Sequence, residues 1–137
     1  MTLNYDKPRK IILAALQSRN DFEINRMVAE LLGLPVSEKQ HFWDRGVPIV
    51  RLDAGYGGYF DPCNDPDDSF KIILGNNIAI SPVYKFTDDT EEDLEYTGLW
   101  EAGCTRIKFG ELSLQTRDPN PLRAAMIIFI ASRELYK

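Results

Sequence analysis

The closing stretch DPNPLRAAMIIFIASRELYK, residues 118–137, constrains this chain more than any other. Asn120 stands where a helix cap belongs, and Pro121 takes the first helical position, where a missing amide hydrogen costs nothing. Leu122, Ala125, Met126, Phe129 and Ile130 then recur at spacings of three and four, which predicts an amphipathic helix with a broad apolar face. Its apolar run AAMIIFIA (124–131) is far short of the roughly 18 residues that span a bilayer. The face must therefore be covered by protein, and a sheet is the natural cover. The segments LEYTGLWEA, CTRIKF and ELSLQT supply it; the last two alternate and are joined by Gly110-Glu111, which suits a type II′ hairpin. The fold class expected is α+β, with a helical N-terminal part and a C-terminal helix packed on a small antiparallel sheet.

The remaining elements follow from local signals. NDFEINRMVAELLG reads as a helix, with Asn20 as cap, Glu23 closing a capping box and Gly33 ending it, its apolar stripe formed by Ile24, Val28 and Leu31. Before it, KPRKIILAALQS predicts a shorter helix with Asp6 as cap, making residues 1–19 an N-terminal extension. VPIVRL (47–52) predicts a strand and DAGYGGYFDPCNDP a loop. In DDSFKIIL, Asp65 before Pro66 signals a helix start and Gly75 its stop. NIAISPVYKF predicts two short extended pieces bent at Pro82. The 137 residues fit one globular domain, 1–137, with no repeat and no low-complexity linker.

Charge is segregated. From Leu52 to Glu101 twelve acidic residues face two lysines, whereas the flanks carry a basic excess, within an overall net charge of −5. The densest part is DDTEEDLE (88–95), with Asp88, Asp89, Glu91, Glu92, Asp93 and Glu95, which predicts a solvated acidic loop that either steers a basic partner or only keeps the protein soluble. Such a run opposes phosphate backbones, so nucleic acid is not the expected partner, although Arg106, Lys108, Arg117 and Arg123 are the side chains that would serve one. Two scattered cysteines, Cys63 and Cys104, point to free thiols in a reducing compartment, the cytoplasm. The basic-then-apolar start KPRKIILAAL imitates a secretory signal, but the run is short and polar QSRND follows it. No membrane association is expected.

The chemistry-bearing stretch is DPCNDPDDSF. Counted from Asp61 as a calcium loop, the sixth residue is Pro66 and the twelfth Ile72, where glycine and a bidentate carboxylate are required. A zinc site finds only Cys63, Cys104 and His41 in the whole chain. No metal and no cofactor are expected. Instead Asp61, Pro62, Cys63, Asn64, Asp65, Pro66 and Asp68 read as a structural motif of Asx turn, cap and first helical turn. GYGGY (55–59) lacks the lysine and the helix of a phosphate loop. Its aromatics Tyr56 and Tyr59, with Phe60, are expected to be exposed as a partner surface. A Cys-His nucleophile pairing His41 with either cysteine has no local signature. Trp43 and Trp100 read as core or rim aromatics.

Taken together, DFEINRMVAELLGL (21–34), DPCNDPDDSFKIILGNNIAISP (61–82) and NPLRAAMIIFIASRELY (120–136) resemble the NinX-like proteins of lambdoid and other enterobacterial phages. The resemblance implies a small phage or prophage accessory protein made in a bacterial host cell, and it brings no activity, cofactor or catalytic residue with it. The function expected is non-enzymatic: binding of a host or phage protein, with modulation of host defence or DNA metabolism as the outcome. The alternatives are a small carboxylate-based or divalent-ion-dependent enzyme using the Asp61–Asp68 loop, and a nucleic-acid-binding protein. Oligomeric state is not legible.

Overall fold

The computed structural model describes residues 6–37, 41–42, 48–53, 58–87, 94–104 and 114–135. In chain order these form α1 (Asp6–Gln17), α2 (Asp21–Leu31), β1 (His41–Phe42), β2 (Pro48–Arg51), β3 (Tyr59–Phe60), α3 (Pro66–Gly75), β4 (Ala79–Phe86), β5 (Leu94–Cys104), β6 (Leu114–Asp118) and α4 (Pro121–Leu135). Strands β4, β5 and β6 pair antiparallel in that order, and β1, β2 and β3 make a second small antiparallel sheet. The α+β class expected from the sequence is the one observed.

Helix α4 organises the molecule. It packs on β5 and β6, as its apolar face required, and it also touches α1, α2 and α3. Ala124 through Ala131 are all buried, including Ile127 and Ile128, which lie off the three-and-four stripe. A helix apolar all round belongs inside a protein. Here the sheet covers one side and the three other helices cover the rest, through Leu16 of α1, Ile24 and Val28 of α2, and Ile72 and Ile73 of α3.

The caps explain where these helices begin and end. Asn20 accepts from the Glu23 amide at 2.8 Å, and the Glu23 carboxylate pairs with Arg19 at 2.7 Å. At the far end Gly33 takes φ +73°, and the Leu34 and Gly33 amides donate to the Ala29 and Glu30 carbonyls, a Schellman closure. Asp65 caps α3 as expected, accepting from the Asp67 amide at 2.9 Å. The stop differs. Gly75 is still helical, and Asn77 at φ 54° makes the left-handed turn, with Ile78 donating to the Ile73 carbonyl. Asparagine tolerates that conformation better than other side chains with a β-carbon.

Three further expectations are corrected. Tyr59 and Phe60 leave the predicted loop to pair with Arg51 and Val50 as β3. Strand β4 runs through Pro82 as one element; as an edge strand it has a side on which the missing amide hydrogen is not needed. Leu94 and Glu95, the last residues of the expected acidic loop, open β5. The rest of that loop, 88–93, lies outside the described residues, as do Gly110-Glu111 and Trp43. β5 and β6 are nonetheless antiparallel, with Cys104 opposite Leu114.

Candidate functional site

Two places collect the side chains that chemistry or recognition would use. The first is the turn holding the DPCN motif. Asn25, on the buried side of α2, donates to Asp61 Oδ1 at 2.7 Å and accepts the Cys63 amide at 3.0 Å. The Asn64 side-chain amide meets Asp21 Oδ2 at 3.2 Å and Asp61 Oδ1 at 3.0 Å. Asn120 accepts the Leu122 amide at 2.9 Å as the cap of α4, and donates to the Cys63 carbonyl at 2.7 Å and to Asn64 Oδ1 at 3.1 Å. One residue further on the helix, Arg123 donates to Asp21 at 2.7 Å, to Asp118 at 3.2 Å and to the Gln17 and Arg19 carbonyls. Five segments are thereby tied at one point: the α1–α2 junction, the start of α2, the motif turn, the end of β6 and the start of α4.

The electrostatics of this network favour structure over chemistry. Burial pushes the Cys63 thiol well above its ordinary range, and Asp21, Asp61 and Asp118 add to that against the opposing Arg123, so it stays protonated and is a poor nucleophile. Burial also raises the Asp68 carboxyl; the Asp61 amide, donating at 2.9 Å, works against this, while Asp65, Asp61 and Asp67 reinforce it. Desolvation works against the Arg123 charge, but its contacts with Asp21 and Asp118 more than offset it and hold the guanidinium charged. Beside the network lies a cleft of about 290 Å³ lined by Asn20, Asp21, Phe22, Asn25, Pro48, Ile49, Asp61 and Asn64. Asp21 and Asp61, its two carboxylates, are those already bound to Arg123, Asn25 and Asn64. Among the described residues no group of three His, Cys, Asp or Glu side chains is placed to hold a metal.

The second place is the outer half of the β4–β5 hairpin. Tyr84 lies opposite Tyr96, and Phe86 opposite Leu94. Directly opposed residues in an antiparallel pair share a face, so all four project to one side, and Lys85 and Glu95 project to the other. They are 54%, 45%, 52% and 59% exposed, respectively. The Tyr84 and Tyr96 rings stand 5.9 Å apart, and Tyr96 meets Trp100 edge-on at 6.2 Å. Nearer the core the register moves by two residues, at Gly98 with φ +84°, where Thr97 donates to the Val83 carbonyl at 2.8 Å. A shift of two keeps the parity of the strand. The face that carries Tyr96 therefore continues as the half-buried Trp100 and then as Ala102 and Cys104, which join the core that α4 covers.

The residues expected to form a partner surface fare differently. Tyr59 is exposed and Glu95 is exposed, 4.0 Å from Lys85. Phe60 is corrected: it is 6% exposed and belongs to the core, because its pairing with Val50 turns it inward. Tyr56, Asp88, Asp89, Glu91, Glu92 and Asp93 lie outside the described residues, and so does the His41 side chain. Sequence reasoning missed Tyr84, Phe86, Leu94 and Tyr96. The signal was available in VYKF and LEY, where large apolar and charged residues alternate on either side of the acidic run.

A family model described as Bacteriophage P22, NinX matches residues 18–133. The chain belongs to the NinX family. The match takes in the Asp21–Asn64–Arg123 network except for the Gln17 carbonyl and begins just after α1, which nevertheless packs on α4 and bonds to β6 through Gln17 and Thr116 at 2.6 Å. NinX membership marks a phage protein and is consistent with an accessory role. No curated protein matches the chain.

Proposed function

We propose that this NinX-family chain is an accessory protein of a phage or prophage that performs no chemistry of its own and acts in the host cytoplasm by binding a host or phage protein. Modulation of host defence or of DNA metabolism is the outcome that suits such a role. The observation that carries the reading is the overhanging apolar face of Tyr84, Phe86, Leu94 and Tyr96. Monomeric proteins seldom leave large aromatic side chains grouped on one exposed face unless something covers them. Two further observations weigh against the alternatives. The carboxylates an enzyme would use, Asp61, Asp65 and Asp68, accept hydrogen bonds from Asn25, the Asp67 amide and the Asp61 amide. Of the cations a nucleic-acid binder would use, Arg117 pairs with Glu101 at 3.0 Å and Arg123 is enclosed in the polar network, while Arg106 and Lys108 lie outside the described residues. No helix among the described residues is long and apolar enough to cross a membrane.

The test is affinity capture on the full chain from infected bacterial lysate, with and without nuclease, followed by reconstitution from purified components. The expected result is one protein that survives nuclease and re-forms a stoichiometric complex. Retention of nucleic acid alone, or turnover of a small substrate that Asp61→Asn abolishes, overturns the reading.

A further inference from the structure

We infer that α1 is a displaceable strap seated on a helix-binding surface of α4 and β6, and that the occupant which takes its place is an amphipathic helix of another protein. The inference rests on the protein-binding function proposed above for that occupant, and gives the function a second, covered place. The chemistry of the occupant is read from α1, which already sits there.

Helix α1 is held more lightly than the other three. It gives Leu16 to the core, with Ile12 and Leu13 partly buried beside it, whereas α2 buries four residues, α3 three and α4 eight. Ile11 stands 58% exposed. Among the described residues α4 is the one element on which α1 packs broadly, and α1 is the helix that the family match leaves out. Its 12 residues sit at the lower edge of the roughly 12–15 that an isolated helix needs in water. Arg9 and Lys10 lie towards its N-terminus and no basic residue lies in its last turn, so its charges oppose the helix dipole. Away from α4 this segment melts, and the chain entropy regained lowers the cost of opening.

The seat tolerates being uncovered. Thr116 lies on the inner face of β6, two residues from Leu114 and opposite Ala102, and is 5% exposed. A hydroxyl sealed into an apolar site is costly unless it is bonded. Gln17 bonds it at 2.6 Å while α1 is down, and water or the donor of a new helix does so once α1 leaves. The apolar side of α4 is costly to leave bare, so the strap stays down until another helix replaces it. That helix has to match α1: large aliphatic side chains at i, i+1 and i+4, as Ile12, Leu13 and Leu16 stand, followed by a hydrogen-bond donor where Gln17 stands. Its direction is fixed as well, because Arg123 meets the Gln17 carbonyl and a cation belongs at a helix C-terminus. Exchange of α1 between two copies replaces each contact by its equal and loses the freedom of two molecules, so the helix of another protein is the occupant.

The experiment uses the full chain and a labelled synthetic peptide of residues 6–19, which stands in for the incoming helix. Hydrogen exchange of the native chain in low urea should show the α1 amides exchanging at least about a hundredfold faster than those of α2 and α4, as a local opening does. Exchange of α1 only together with the whole core overturns the inference. The peptide should bind the Leu16→Ser chain, whose own strap is loosened, at least about tenfold tighter than the parent, since the parent must first open. Its binding should shift the amides of Thr116 and of residues 124–131. A peptide carrying Leu13→Ser and Leu16→Ser should bind neither chain. Gln17→Ala, which leaves Leu16 in place, provides a second loosened chain should the first fold poorly. Equal binding to parent and variants, no binding to any of them, shifts centred elsewhere, or dimerisation of the parent through exchanged α1 overturns the inference. Capture from infected lysate fails differently: absence of any captured protein removes the binding function itself, whereas the results above strike only the α1 seat.

Discussion

The two halves of β5 present the same kind of side chain to opposite ends. At the inner half, Ala102 and Cys104 sit under α4 with Leu114 and Thr116 beside them; at the outer half, Leu94 and Tyr96 stand in solvent. Local sequence does not distinguish them, since both halves are apolar at alternate positions. What differs is whether another element reaches that far, and α4 does not. Residue type therefore reports fitness for burial, and only the tertiary arrangement says whether the burial is spent on the fold or held for another molecule.

The contrast is broken most forcefully from the covered side. Phe129→Ala, in the middle of α4, should cost about 3–5 kcal/mol in urea unfolding, since a fully buried aromatic leaves a cavity between sheet and helices. Next in size, Arg123→Ala should cost about 2–3 kcal/mol, because Asp21 and Asp118 lose charged hydrogen bonds at a site where five segments meet. Arg123→Lys should recover only part of that, as an ammonium lacks the planar fork that reaches two carboxylates and two carbonyls at once. On the uncovered side, Tyr84→Thr with Tyr96→Thr should cost about 1 kcal/mol or less, the value of a cross-strand pair. A loss as large as that of Phe129→Ala would place the hairpin in the core and end the comparison.

The smallest effect depends on pH. The Asp68 carboxyl is raised in the folded state, chiefly by burial, so its ionisation opposes folding as pH rises through its ordinary value of 3.8 and then through the raised one. Asp68→Asn keeps an oxygen for the Asp61 amide and removes the charge. Relative to the parent, the variant should show no advantage below the ordinary aspartate range and a small gain at neutral pH, limited by solvent screening. Thermal melts at both pH values decide it, and a variant penalised at neutral pH would show that the charge supports the helix end instead.

Much of the fold was legible because its signals are local. Asn20, Asp65 and Asn120 cap the helices they were expected to cap, and Gly33 turns the chain where expected. What was hidden depended on neighbours in space. Pro82 spoke for a break, and only the edge position of β4 made it harmless. Phe60 looked like a loop aromatic until its pairing with Val50 turned it inward. Asn25 carried a readable signal, a polar residue beside Ile24 and one turn before Val28, but its partners lie some forty residues away in the motif turn. Arg123 read as a spare cation for the same reason: Asp21 is 102 residues distant.

Those separations bear on the order in which the chain is made. Synthesis delivers Leu16, Ile24 and Val28 first and α4 last, yet α4 is the surface these residues bury against. While the nascent chain lengthens, the apolar faces of α1, α2 and α3 have no final neighbour, and β6 waits likewise for the helix that follows it. Contacts of such long sequence separation slow folding and leave intermediates open to aggregation. A chain that stops short of residue 120 therefore lacks the helix on which α1, α2, α3, β5 and β6 all pack, and should lose cooperative unfolding, which a urea melt of the truncated chain would read.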